Sequence, residues 1–131
     1  MTSQSWQTPP PEAKVYELSF PCPGVMLATI NRPKQMNSIG LQGHLEGEAI
    51  FNWLDDEPSL NVAIVTGKGD KAFCAGADLL EQRDRSRSNQ EGLRMSGAGF
   101  GGLSRRAGKK PVIAAVNGFA LGGGFEICLN W

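Results

Sequence analysis

The chain has 131 residues, enough for one domain with a modest core and too few for two. With 40% apolar and 20% charged residues it has the composition of an ordinary soluble globular protein. Thirteen basic residues balance thirteen acidic ones, so no charge excess points to a nucleic-acid or membrane partner.

Residues 1–13 are polar and carry Pro9, Pro10 and Pro11, which predicts a disordered tail ahead of a single domain over 14–131. Val15–Phe20 alternates faces, with Tyr16, Leu18 and Phe20 on one side, and predicts a strand. Pro21–Gly24 reads as a turn into a second strand, Val25–Ile30, so the pair forms a hairpin that Asn31-Arg32-Pro33 ends. Leu41, Leu45, Ala49, Ile50, Trp53 and Leu54 recur at helical spacing to about Asp55, with Gly43 and Gly47 as weak points. Val62–Thr66 is a short apolar run without alternation, which predicts a strand covered on both faces. After the loop Gly67–Lys71 and the segment Ala72–Ala77, Asp78 opens a second helix. Glu81, three residues on, fits a capping box. Val112–Val116 predicts another buried strand, and Gly122-Gly123-Gly124 leads into a helix beginning Phe125-Glu126. The resulting order, β-β-α-β-α-β-α, is that of a mixed α/β domain. A helix that starts on a glycine triplet and ends almost at once reads as an interruption.

Other classes find little support. Cys22, Cys74 and Cys128 are odd in number and lack metal-ligand spacing, so they read as reduced thiols in an intracellular protein. His44 is the one histidine, which leaves no zinc cluster to build. The N-terminal residues resemble neither a secretory nor a mitochondrial signal, and no run is long enough to span a bilayer. Gly97–Gly102 matches G-x-G-x-x-G, but no buried strand precedes it, and a flexible loop is expected in place of a dinucleotide site. Between Arg83 and Lys110, eight basic residues face only Asp84 and Glu91, a solvated face or a rim that steers phosphates. Phe100 alone is thin aromatic support there, so nucleic acid is not the expected partner.

Two small-residue turns carry the strongest chemical signal. Phe73-Cys74-Ala75-Gly76-Ala77-Asp78 follows Val62–Thr66, and Gly122-Gly123-Gly124 follows Val112–Val116. Each runs into a helix, where main-chain N–H groups are left without helical acceptors. Two such groups aimed at one point stabilise a carbonyl oxygen that is gaining negative charge, and Glu126 stands next to them as an acid or base. Packing turns, with Glu126 merely complementing the helix dipole, would produce the same spacing.

At these residues the chain resembles the enoyl-CoA hydratase/isomerase (crotonase) family over about Val15–Leu129. The resemblance lies in Asn31-Arg32-Pro33, in Ala72–Leu79 and, most specifically, in Lys110–Glu126. The wording is similar to fungal members, some of which serve secondary metabolism. It implies a crotonase-like α/β fold of repeated β-β-α units, incomplete at the C-terminus. It further implies that the N–H groups of Ala77 and Gly123 hold a thioester carbonyl, that Ala77, Asp78, Leu79, Leu80 and Gly123 line the acyl-CoA site, and that Glu126 is the first of two catalytic glutamates. Water then adds across the 2,3-double bond, CoA is part of the substrate, and no separate cofactor or metal is needed. A glutamate at 126 favours hydratase over isomerase ancestry. Leu80 stands where several hydratases carry lysine, and Trp131 where the family usually has aspartate. Family members are about twice as long, with the second glutamate and the trimer-forming helices beyond Trp131. A homo-oligomer, trimer-based when complete, is therefore expected. The competing reading is a non-catalytic truncated paralogue that binds acyl-CoA or full-length subunits. Peroxisome, mitochondrion and cytoplasm all stay open.

Overall fold

A computed structural model describes residues 6–87 and 97–130 and arranges them as three successive β-β-α units. The first unit comprises β1 (Tyr16–Cys22), β2 (Val25–Ile30) and α1 (Leu41–Asp56). The second comprises β3 (Val62–Gly67), β4 (Ala72–Cys74) and α2 (Leu79–Arg87). The third comprises β5 (Val112–Ala114), β6 (Phe119–Ala120) and α3 (Gly123–Leu129). Strands β1, β2, β3 and β5 form one sheet in that order, while β4 and β6 form a separate pair. Both β4 and β6 were absent from the predicted order. Strands of three and two residues are too short to leave a periodic trace in sequence.

β1 and β2 are antiparallel, whereas β2–β3 and β3–β5 are parallel and so need the crossovers that α1 and the segment after β4 supply. β1 runs to Cys22, two residues beyond the predicted end, and Cys22 pairs with Val25 across a Pro23-Gly24 turn. Pro21 is tolerated because β1 is an edge strand, and the register shifts between Ser19 and Cys22. Gly24, at φ +82°, supplies the left-handed residue of the turn.

The core lies on one face of the large sheet. Tyr16, Met26, Ala28, Ile30, Ala63, Val65 and Val112 are buried there with Ile50, Phe51 and Leu54 of α1. β3 and β5 were expected to be covered on both faces. The opposite face is only partly covered, with Val62 and Ile64 half-buried and Ile113 54% exposed.

Gly47 has a packing role in α1. A Cβ on Gly47 would lie 1.9 Å from the Gly101 carbonyl oxygen, so glycine lets a second backbone lie directly on the helix. Glu46, on the same helix, is buried and fixes the start of β1. Its Oε1 accepts the N–H groups of Lys14 and Val15 at 2.9 Å and of Tyr16 at 3.3 Å.

The tail requires a correction. Residues 1–5 lie outside the described residues, but the chain is docked from Trp6 onward. Trp6 packs on Phe20 and Trp53 with ring centroids 4.7 and 5.1 Å away. Trp53 donates to Thr8 O, and Gln7 N–H donates to Glu57. One large aromatic outweighs the polar, proline-rich composition that suggested disorder.

Candidate functional site

The two small-residue turns are positioned by the short strands that the periodicity does not reveal. Instead of following β3 and β5, they follow β4 and β6, which run parallel with Ala72 opposite Phe119 and Cys74 opposite Ala120. Parallel strands deliver both turns at the same end of the pair. Leu121 N–H donates to Cys74 O at 3.0 Å and continues the pairing into the glycine triplet. Gly76, at φ +103°, allows the first turn to lie against the second. A Cβ there would sit 2.9 Å from Leu121 O and 3.7 Å from Gly123 N.

Gly76, the residue before Ala77, is thus brought against Leu121 and Gly123. Ile39 N–H donates to Gly76 O at 2.9 Å, and Asp78 N–H donates to Ile39 O at 3.0 Å. That is a parallel bridge between Ile39 and Ala77, in which the N–H of Ala77 itself points away from Ile39. Among the described residues, neither the Ala77 nor the Gly123 N–H donates to another protein group. Gly123 and Gly124 are glycine for steric reasons. A Cβ on Gly123 would meet the Phe100 ring at 2.4 Å, and one on Gly124 would meet Cys74 O at 2.1 Å.

Glu126 lies on the first turn of α3, exposed, with its N–H donating to Gly122 O. It lines an open cavity of about 340 Å³ with Ser104, Arg105, Leu129 and Asn130. Leu79 and Leu80 project outward on α2, 75% and 62% exposed. Asp78, expected among the substrate-lining residues, has a committed carboxylate. Its Oδ1 accepts Glu81 N–H at 3.2 Å, and its Oδ2 pairs with Arg32 at 3.0 Å. Partial burial disfavours its charged form, but the Glu81 N–H and the Arg32 guanidinium prevail and hold the carboxyl below its ordinary range. The capping box is half formed, since Glu81 accepts Leu41 N–H at 2.7 Å and so caps α1.

Several residues here escaped the sequence reading. Asn37 is buried in the left-handed region at φ 57°. Its Nδ2 donates to Lys68 O and Ala72 O, which ties the Asn-Arg-Pro turn to the start of β4. Asn117 does the same from the third unit, donating to Gly69 O and accepting Gly67 N–H. A cavity of about 310 Å³ opens beside them, with Lys34, Lys68 and Lys71 at its edge. No sequence spacing linked those lysines, which come from two separate loops.

Of the basic stretch, Arg94 lies outside the described residues, and two of the others act as anchors. Arg106 pairs with Asp55, and Lys110 donates to Glu57 O, both at the end of α1. Gly97–Gly102, expected to be a flexible loop, ends in a buried turn at Phe100–Gly102. Cys22, Cys74 and Cys128 are free thiols, and burial pushes the Cys74 thiol up to about 11. No group of three His, Cys, Asp or Glu that could hold a metal ion occurs among the described residues. Nor is any described helix long and apolar enough to cross a membrane.

Repeated β-β-α units with two small-residue turns meeting at one end of a parallel pair define a crotonase-type α/β protein. The profile described as Enoyl-CoA hydratase/isomerase matches residues 22–130, and the chain belongs to that family. Mevalonyl-coenzyme A hydratase SIDH of Beauveria bassiana is 50% identical over 127 residues, covering 92% of this chain and 45% of that protein. The mevalonyl-coenzyme A hydratase of Aspergillus fumigatus is 49% identical over 115 residues, covering 86% and 41% respectively. In structure, carnitinyl-CoA hydratase from Mycobacterium avium superposes with a TM-score of 0.76 at 34% identity, over 91% of this chain and 44% of that one. The chain therefore spans less than half the length of these relatives, and the fold is the corresponding part of theirs.

Proposed function

We propose that this chain carries the thioester-holding part of a hydratase site acting on a CoA ester. The observation that supports this best is the seating of the Gly76 turn against Leu121 and Gly123, with the N–H groups of Ala77 and Gly123 left without protein acceptors among the described residues. A thioester carbonyl seated between them gains both bonds as negative charge builds on its oxygen during addition of water to a 2-enoyl ester. Each such donor is worth about 3 kcal/mol at the transition state. Glu126 acts as acid or base on the water, working in hydratases of this type with a second glutamate that the resemblance does not place within residues 1–131. Asp78, Leu79 and Leu80 flank the ester through backbone and apolar side chains, and Lys34 and Lys71 supply positive charge for its phosphates, Lys68 being paired with Glu17. The half-identity to two mevalonyl-CoA hydratases favours a branched hydroxyacyl-CoA or its dehydrated 2-enoyl form as substrate.

Loss of the enoyl-thioester ultraviolet absorbance tests this, with wild type compared against Glu126→Gln. The expected outcome is a fall of about 10²–10⁴-fold in the variant. Hydration that survives the substitution would remove Glu126 from its role. A second reading has its own support in the exposure of Leu79, Leu80, Phe119, Leu121, Phe125 and Leu129. On that reading the chain binds acyl-CoA without turnover, or associates with full-length subunits. Calorimetric binding of a CoA thioester without hydration would favour it.

A further inference from the structure

We infer that His44 is a positioning residue for the Gly123 N–H, acting through the Gly101 turn and the ring of Phe100. This rests on the reading that Gly123 N–H holds the thioester carbonyl.

The turn is soft by composition. Gly99, Gly101 and Gly102 take φ values of +85°, +64° and +74°, and glycine has the greatest backbone freedom to lose. It is nevertheless buried and held at both polar atoms of Gly101. His44 Nδ1 accepts the Gly101 N–H at 2.9 Å, and the Tyr16 hydroxyl donates to Gly101 O at 2.9 Å. Ser104 Oγ accepts the neighbouring Phe100 N–H at 2.7 Å. Burial raises the Tyr16 phenol far above its ordinary range, so it stays a donor.

The clamp fixes where the Phe100 ring goes. That ring meets His44 edge-on, with centroids 4.7 Å apart and planes at 68°. It also lies against Gly123, close enough that a Cβ there would collide with it. His44 therefore touches the ring directly and also holds the backbone that carries it, on a helix packed into the core. Gly124 is seated on Cys74 O, and Phe100 packs on Gly123 from the side of the Gly101 turn, while Gly76 approaches it from the other turn. An acceptor at Nδ1 places the imidazole proton on Nε2, a requirement a merely space-filling ring would not have.

The test uses the protein as the cell makes it and a conjugated probe, cinnamoyl-CoA, whose absorbance moves to the red when its carbonyl is polarised. His44→Phe keeps ring volume and removes the acceptor, whereas His44→Gln keeps an acceptor. His44→Phe is expected to lose most of the red shift and roughly tenfold to a hundredfold in kcat, with KM nearly unchanged. His44→Gln is expected to recover much of both. A full red shift in His44→Phe, failure of His44→Gln to recover more than His44→Phe, or loss of cooperative folding in His44→Phe would each overturn the inference. Wild-type protein that binds the probe without any red shift would instead refute the carbonyl-holding reading beneath it.

Discussion

Adjacent glycines 123 and 124 owe their identity to different neighbours, and single substitutions separate them. Gly124 rests on a main-chain oxygen of β4 that cannot move aside, so Gly124→Ala is expected to cost about 1–3 kcal/mol, seen as a lower urea midpoint. Cys74, which supplies that oxygen, carries a thiol that burial lifts from 9.0 to about 11. At neutral pH it is expected to resist iodoacetamide while the exposed Cys22 reacts, as peptide mapping of the labelled protein will show. The sign of its pH effect follows from linkage. Between about pH 9 and 11 the folded chain keeps a proton that the unfolded chain has already lost. Stability should therefore fall as pH rises through that window, and Tyr16, raised in the same direction, adds to the fall.

At the scale of elements, buried carboxylates and amides join pieces that are far apart in the chain. Glu46 of α1 takes three N–H groups at the entry to β1, so Glu46→Ala leaves them without their partner and is expected to destabilise by about 1–3 kcal/mol in urea unfolding. Asp78 starts α2 and pairs with Arg32, and its lowered carboxyl range gives the opposite pH sense. Its contribution is present above the ordinary value of 3.8 and is lost as pH falls through the lower folded value. Asp78→Asn should flatten the acid side of the stability profile, measured as melting temperature between pH 2 and 5. Such ties are not periodic. Asp78 was legible because a capping box has fixed spacing. The 40-residue reach of Glu81 to Leu41, by contrast, depends on how α1 and α2 approach each other.

For the whole molecule, what is left uncovered matters most. Leu79 and Leu80 on α2, Phe119 and Leu121 at β6, and Phe125 and Leu129 on α3 are large apolar side chains each more than half exposed. Together with the partly covered sheet face they favour association. The 131-residue chain, produced alone, is expected to self-associate in sedimentation velocity with rising concentration. A monomer that unfolds cooperatively in dilute solution would count against this.

The hairpin, α1 and the strands at 62 and 112 were legible in the sequence because their length and apolar pattern suffice to specify them locally. The two small-residue turns and Glu126 were legible too, whereas Ala77 and Gly123 were named through the family resemblance, and their roles are proposals. The sequence could not say which strands present those turns, because β4 and β6 are too short to carry a pattern and exist only by pairing with each other. Nor could it say that Trp6 docks, that Gly47 receives the backbone of Gly101, or that His44 lies behind Phe100. Those are contacts between residues tens of positions apart, decided when the units close on one core. Local pattern determined which elements form, and tertiary packing decided which atoms meet.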